Sequence, residues 1–511
     1  MYQYTCLPQG LTSAPRLFTK LLKPILSHLR SVGITIIVYI DDCLFVANTE
    51  QELKDHVAYA CEVFDRLGLT INVVKSSFSP SHVIEFLGCI LDSVDMSVRL
   101  SRERKVKIAS LGTRLLGQAS VCVRDLASFI GCLVAADNCV HLAPLRYKYL
   151  EIVRNVCLRE HKGNYDSFLS LDGHARDLVT WWVSNVHSLK RSLVTVPPQF
   201  VLTTDASLLG WGAVFGSSQT GGHWGYSELA HINVLELKAV LLGLGALCSD
   251  VRDSHIRLVT DNTTVVACIE RGGSMKAPLL SLTESIFAWA FERCISLSAE
   301  HLSGVENVVA DRLSRDDSFS KEWRLLPSLF DGLCRLFGSP RVDLFATRIN
   351  FHVQKFVSWK PDPLAWKVDA FSFCWGPEIL HYAFPPFSLV GKVLRKVEQD
   401  GTLLVLVAPM WASQVWFPKM LHLLADVPVV LPSACLTLPQ DPRAVHPMGD
   451  RLGLAGMLIS GDPSRREEFR RGLETFCVPP GRKGRRYSIE GTSIGGLTFV
   501  SQGQLIRFVR L

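Results

Sequence analysis

Polar and apolar positions change period several times along this chain, and each change predicts an element. Residues 34–40, Ile-Thr-Ile-Ile-Val-Tyr-Ile, are all β-branched or aromatic, which predicts a buried strand. Asp41 and Asp42 interrupt the run and Cys43-Leu-Phe-Val-Ala47 resumes it, so the stretch predicts a β-hairpin with the two carboxylates as its turn. Upstream, Pro8, Gln9 and Gly10 read as a turn. Behind Pro15, residues Leu17, Phe18, Leu21, Leu22, Ile25 and Leu26 recur at helical spacing. Downstream, residues 50–69 carry a second helical period, and apolar segments follow at 69–75 and 86–91. Helices are expected again over 102–116 and 124–136.

Pro197-Pro198 marks a change of character. Strands are predicted over 200–205, 210–216 and 222–225, and an amphipathic helix over 231–247 that carries Glu236 among apolar neighbours. A strand at 256–261, two helices, a strand at 295–301 and a helix at 307–315 complete a mixed α/β layer. Beyond the polar stretch after Arg315, strands at 342–346 and 402–408 flank a Pro-Pro turn and a helix at 388–398, a doubly wound α/β pattern. The fold class expected is therefore an α/β and α+β multidomain chain. Its units are 1–100, a helical connector 101–195, then 196–316, 317–450, and a Pro-, Gly- and Arg-rich tail 451–511.

Composition narrows the class. A chain of 511 residues holds roughly three or four domains. With 48% apolar and 20% charged residues it is globular. A net charge of +6 permits a polyanionic partner without requiring one. The 15 cysteines include no C-x-x-C pair, which argues against a zinc ribbon or a disulfide framework and fits a reducing, intracellular setting, cytoplasm or nucleus. No run reaches ~18 apolar residues, so no membrane partner is expected. The run Arg482-Lys-Gly-Arg-Arg486 is the strongest local basic charge.

Chemistry concentrates on carboxylates. Asp41 and Asp42 repel each other unless a cation sits between them, and hard oxygen ligands suit Mg²⁺; a solvated hairpin tip accounts for the pair equally well. Asp205 and Asp261 each end a predicted strand, where a lone Asp usually caps or turns the chain.

Four segments in order, Leu7-Pro-Gln-Gly-Leu-Thr-Ser-Ala-Pro-Arg-Leu-Phe18, Tyr39-Ile-Asp-Asp42, Gly68-Leu-Thr-Ile-Asn-Val-Val-Lys75 and Phe86-Leu-Gly88, resemble the reverse transcriptases of retroelements. The resemblance implies that Asp41 and Asp42 bind catalytic Mg²⁺ at the primer end. It further implies that Gln9 and Gly10 lie beside the template base and incoming nucleotide, that Lys75 lies near the triphosphate, and that Phe86-Leu-Gly88 opens the primer grip. That family takes a further Asp from a strand before the Leu7-Pro-Gln-Gly10 segment. The chain starts seven residues before Pro8, so the polymerase is expected to be incomplete. The connector resembles the thumb that follows such a palm, with Arg102, Arg104, Lys105 and Lys107 as candidate phosphate contacts.

Thr204-Asp-Ala-Ser207, Glu236-Leu-Lys-Ala-Val240, Thr260-Asp-Asn262 and Asn307-Val-Val-Ala-Asp-Arg-Leu-Ser-Arg315 together resemble the four acidic motifs of ribonuclease H. The resemblance implies that Asp205 bridges two Mg²⁺ ions, with Glu236, Asp261 and Asp311 completing their shells, because two-metal phosphodiester hydrolysis needs carboxylates spanning ions ~3.5–4 Å apart. It implies that His301 assists turnover and that Ser207 and Asn262 touch the minor groove of an RNA–DNA hybrid.

Val342-Asp-Leu-Phe-Ala-Thr-Arg-Ile-Asn350, Asp362-Pro-Leu-Ala-Trp366 and Phe384-Pro-Pro-Phe387 resemble adenine methyltransferase-like units of DIRS-type retrotransposons. In that family an Asp or Asn precedes Pro-Pro; Phe384 stands there and cannot accept the target amine's hydrogens, so no methyl transfer is expected, while Phe387 can stack on a base. The expected activity is hydrolysis of RNA in RNA–DNA hybrids. An active reverse transcriptase and an inactive nucleic-acid-binding relic are the rivals, and an element-encoded recombinase is a further candidate partner.

Overall fold

The computed structural model describes residues 10–194, 196–316, 322–475 and 497–511. Gln9 and the basic run 482–486 lie outside the described residues. The chain forms two compact units, Met1–Val196 and Pro197–Leu511, so the break falls at the predicted Pro197-Pro198 boundary. No helix among the described residues is long and apolar enough to cross a membrane.

The first unit opens with α1 (Ala14–Ser31), whose Leu22 and Leu29 are buried; Leu17 and Leu21, assigned to the same apolar face from sequence, are exposed. β1 (Thr35–Tyr39) and β2 (Asp42–Val46) pair as the expected hairpin. Its details differ from expectation. Tyr39 pairs with Asp42, so the two turn residues are Ile40 and Asp41, and Asp42 already belongs to β2. The positive φ falls on Ile40 (+55°), not on either Asp. Nor is β1 fully buried: Ile36 faces the core, while Ile37 and Tyr39 face out, as the period-2 geometry of a one-sided hairpin requires. Ile34, Ile36, Ala60, Val63 and Phe64 form a core with α1 and α2 (Glu50–Arg66).

Residues 69–75 make no strand; Val73, Val74 and Lys75 sit in a turn. Next come β3 (Val83–Phe86) and β4 (Cys89–Asp92), joined by Leu87-Gly88 with φ of +54° and +71°. Both turn residues having positive φ is the type I′ geometry that fits tight hairpins. A Cβ on Gly88 would also fall 2.4 Å from Arg104 Nε. β5 (Ser97–Leu100) extends this sheet and pairs with Arg191–Ser192, so the end of the helical connector returns to the sheet. α3 (Arg102–Leu116), α4 (Val123–Val134), α5 (Lys148–Glu160) and α6 (Gly173–Asn185) make that connector. Two of its four candidate phosphate contacts are spent internally: Arg104 donates to the Ala135 carbonyl and Lys105 to the His187 carbonyl. Trp182 is core, its Nε1 donating to the Arg146 carbonyl at 3.1 Å.

In the second unit a five-stranded sheet is built from β6 (Phe200–Ala206), β7 (Gly210–Phe215), β8 (Ser218–His223), β9 (His255–Thr260) and β10 (Ser296–His301). The order is β8-β7-β6-β9-β10, antiparallel on the β8 side and parallel from β6 to β10. α7 (Ile232–Leu247), α8 (Thr263–Glu270), α9 (Ala277–Phe291) and α10 (Val308–Ser314) follow the predicted order. α7 is apolar on nearly every side instead of amphipathic, with Asn233, Glu236 and Lys238 as its polar exceptions. It packs between the sheet, where Gly243 lies against Leu202, Thr204 and Ala213, and α9.

A second, six-stranded sheet contains β11 (Val342–Asp343), β12 (Leu380–Ala383), β13 (Leu403–Pro409), β14 (Val429–Val430), β15 (Leu454–Ser460) and β16 (Val509–Arg510), with α11 (Pro327–Phe337), α12 (Val390–Asp400) and α13 (Pro463–Arg471) outside it. Its order is β11-β12-β13-β15-β14-β16. β11, β12 and β13 run parallel; β15 is antiparallel to β13 and β14. The supposed tail beginning at 451 is thereby corrected. Leu454–Ser460 is a buried central strand, a continuous apolar run that composition averaged over fifty residues concealed. The two sheets belong to one compact unit: Arg348 donates to both Glu228 oxygens at 2.8 and 2.7 Å, and Tyr226 N donates to the Pro439 carbonyl.

Candidate active site

Register builds the site. β6 and β9 run parallel with Val259 opposite Thr203, so two residues further on Asp261 comes level with Asp205. Glu236 reaches the same point from α7, one turn inside the helix. The ligand oxygens of Asp205, Glu236 and Asp261 lie within 4.8 Å of one another. Asp205 and Glu236 are 3% and 4% exposed, which leaves little water to screen their repulsion.

The consequence is a set of displaced acidities. Burial, then the neighbouring Asp261 and Asp311 charges, pushes Asp205 up to about 6 despite a hydrogen bond from Ser314. Burial and the charges of Asp205 and Asp261 push Glu236 up to about 9. Glu236 Oε2 is buried with no hydrogen-bond partner. Three convergent carboxylates with an orphaned oxygen are a donor set for a hard divalent cation, and the residues present fit one.

Asp311 sits beside this group on α10, close enough to raise Asp205, yet its Oδ1 accepts from Arg315 Nε at 2.7 Å. The fourth acid is thus neighbour to the triad and paired to an arginine. α10 supplies more than Asp311. Asn307 Nδ2 donates to the Thr204 carbonyl (3.2 Å) and approaches Asp205 Oδ1 (3.4 Å), and Ser314 Oγ donates to Asp205 Oδ2 at 2.6 Å. Asn307, Asp311 and Ser314 are four and three residues apart, which puts them on one helix face. That spacing was the signal by which Asn307 and Ser314 were legible, and sequence reasoning passed over it.

The helix comes close because the sheet beneath it lacks side chains. A Cβ on Gly212 would stand 2.4 Å from the Ala310 carbonyl oxygen, and one on Gly221 3.4 Å from Leu313 Cβ.

His301 ends β10 with Thr260 as its register partner, one residue short of Asp261, and is exposed. Ser207 and Asn262 are committed to local structure instead of standing ready for a ligand. Ser207 Oγ donates to the Ser314 carbonyl at 2.6 Å and accepts from Leu209 and Gly210 N–H. Asn262 caps α8 through Thr264 and Val265 N–H and donates to Asn233 Oδ1.

In the first unit Asp41 and Asp42 are exposed at the hairpin tip; burial, then the charges of Asp42 and Asp41, pushes the pKa of the Cys43 thiol up. Gly10, at φ +95°, is exposed in a turn. Lys75 N donates to Asn72, and its side chain is exposed. Among the described residues no hydrogen bond or ion pair joins Gly10 or Lys75 to the two aspartates.

Residues 1–91 match the family described as reverse transcriptase (RNA-dependent DNA polymerase). Over 344 residues the chain is 23% identical to the enzymatic polyprotein of figwort mosaic virus, covering 62% of this chain and 46% of that one. Over 92 residues it is 33% identical to the Gag-Pro-Pol polyprotein of human T-cell leukemia virus 2, covering 18% of this chain and 6% of that one. The chain spans less than half the length of these relatives. Among solved structures it is similar to a foamy viral protease-reverse transcriptase in complex with RNA/DNA hybrid (16% identity, 58% of this chain and 39% of that one, TM-score 0.33). It is also similar to RNase H1 from Halobacterium salinarum NRC-1 (20% identity, 23% of this chain and 98% of that one, TM-score 0.21).

Proposed function

We propose that this chain is the reverse transcriptase and ribonuclease H portion of a retroelement polyprotein, and that its complete site hydrolyses the RNA strand of RNA–DNA hybrids. The observation that carries the reading is the convergence of Asp205, Glu236 and Asp261 within 4.8 Å around an orphaned Glu236 oxygen. Asp205, Glu236, Asp261 and Asp311 would hold Mg²⁺. Bound there, such ions supply an activated water and stabilise the leaving oxygen. Asn307 and Ser314 orient Asp205, and their hydrogen bonds favour its ionised form. Arg315 balances charge on Asp311. His301, exposed at the strand end beside the site, is a proton carrier between the site and solvent. The order of the segments supports a DIRS-type element with a methylase-like third unit. Phe384 at the head of the Pro-Pro turn supports absence of methyl transfer there.

A labelled RNA–DNA hybrid tests this. Mg²⁺-dependent RNA cleavage is expected, lost in Asp205→Asn; no cleavage, or an unchanged rate in that variant, rejects the reading. Hybrid binding without cleavage would favour an inactive nucleic-acid-binding relic. The family match over residues 1–91 supports a second reading, RNA-directed DNA synthesis at Asp41 and Asp42. Primer extension on an RNA template, lost in Asp42→Asn, would establish it.

A further inference from the structure

Residues 355–373 lie outside the carboxylate site and present rings and lysines in alternation. Trp359 is 63% exposed and Trp366 43%. Lys355 Nζ sits 3.8 Å from the centre of the Trp366 ring, and Lys367 Nζ lies 4.7 Å from that ring and 4.4 Å from Phe373. Phe373 meets Trp366 edge-on at 5.5 Å. From α12, Lys392 Nζ stands 3.8 Å from the Phe371 ring. Lys355, Lys367 and Lys392 are exposed and take part in no ion pair among the described residues.

The strip is held in shape. Val357 and Ser358 pair with Lys367 and Val368, and Trp366 N donates to the Phe356 carbonyl at 2.8 Å. Asp369 caps Phe371 N–H, and Thr220 of β8 donates to the Pro361 carbonyl at 2.5 Å, tying the segment to the carboxylate-bearing sheet's edge. Beside it opens a cavity of about 580 Å³, lined by Trp359, Phe371, Phe384 and Phe387 and by the polar Asn350, Glu322 and Asp369. It lies past the carboxyl ends of β11 and β12, where parallel sheets leave a crevice.

We propose that this strip is a platform for single-stranded DNA, with bases stacked on Trp359 and on the Trp366 face that Lys355 and Lys367 leave when, with Lys392, they turn to neutralise phosphates. Exposed rings bind bases only where the base faces are free, which a duplex does not offer, and lysines interleaved with rings give the charge complementarity that a backbone of phosphates demands. The choice of DNA over RNA rests on the hybrid-cleaving reading above: removing RNA from a hybrid leaves a bare DNA strand, and the platform belongs to the same compact unit.

The test is titration of the full chain, in EDTA, with a fluorescein-labelled 12-mer of oligo-dT, the matching duplex and oligo-U, read by anisotropy and tryptophan quenching. Quenching by oligo-dT is expected, with roughly tenfold or greater preference over duplex and weaker binding of oligo-U. The double variant Trp359→Ala/Trp366→Ala should lose roughly tenfold or more in affinity while Trp359→Phe/Trp366→Phe retains most of it, since stacking tolerates any ring. Lys355→Glu/Lys367→Glu should flatten the salt dependence by about 1.4 in slope. Equal binding of duplex or of oligo-U, or unchanged affinity in the alanine variant, overturns the proposal. Hybrid cleavage is scored separately with Mg²⁺, so DNA binding without cleavage sinks the nuclease reading alone.

Discussion

Ser314 Oγ donates a 2.6 Å hydrogen bond to Asp205 Oδ2, tying the last turn of α10 to the buried acid at the centre of the site. The bond favours the ionised carboxylate. Ser314→Ala should therefore push the pKa of Asp205, already raised by burial to about 6, higher still. The acid limb of the pH–rate profile for hybrid cleavage should move to higher pH, with the alkaline plateau within about tenfold of wild type. A profile that drops uniformly without shifting would show that Ser314 only holds the helix.

Metal and protons should compete. Asp205 is raised from 3.8 to about 6 and Glu236 from 4.5 to about 9, so both acids hold protons more tightly folded than unfolded. Their stabilising contribution is complete below the unfolded values and is lost as pH rises through the folded ones. Without metal, melting temperature should fall between about pH 5 and about pH 9 on their account. Mg²⁺ should offset the fall, and its stabilisation should grow with pH. Scanning calorimetry with Mg²⁺ or EDTA checks this; parallel curves would contradict it.

Glu236→Gln should separate stability from activity. Near neutral pH the metal-free fold must take up a proton to bury Glu236, at a cost in stability, and the neutral amide avoids that step. The variant should melt about one to two degrees higher in EDTA, on the order of 1 kcal/mol, while hybrid cleavage is abolished. Lower stability in EDTA would mean that the carboxylate is not strained there.

Gly212→Ala should act on the site without touching it. The added methyl would collide with the Ala310 carbonyl and Leu313, forcing α10 off the sheet and displacing Asp311 and Ser314. About 1–3 kcal/mol of stability should be lost, with cleavage reduced more than the fraction unfolded explains. Chemical denaturation together with cleavage at a temperature where the variant is folded measures both.

Ile40 carries φ +55° between Tyr39 and Asp41, a backbone region that a β-branched residue enters at a cost. Ile40→Gly should stabilise the first unit by about 1 kcal/mol. A destabilised variant would show that the partly exposed Ile40 side chain packs usefully, outweighing the strain.

The pattern of the chain by itself determined the elements wherever period and neighbours agreed. The alternation and strand-end aspartates of 200–315 were legible because each strand is short, bounded by glycine or polar residues, and continuous in sequence. All four acids of the candidate site were legible in the sequence: Asp205, Asp261 and Glu236 mark the end or the buried face of a recognisable element, and Asp311 came with the motif at 307–315. Tertiary structure decided the rest. Only the parallel register of β6 and β9 brings Asp261 level with Asp205. Only the docking of α10 over glycines turns Asn307 and Ser314 toward Asp205 and leaves Asp311 with Arg315. Local pattern misplaced the hairpin turn by one residue, because strand pairing and not turn preference fixed it at Ile40-Asp41. It also hid β15 in an apparent tail, since a buried central strand is stabilised by partners between 25 and 57 residues away that no local window contains.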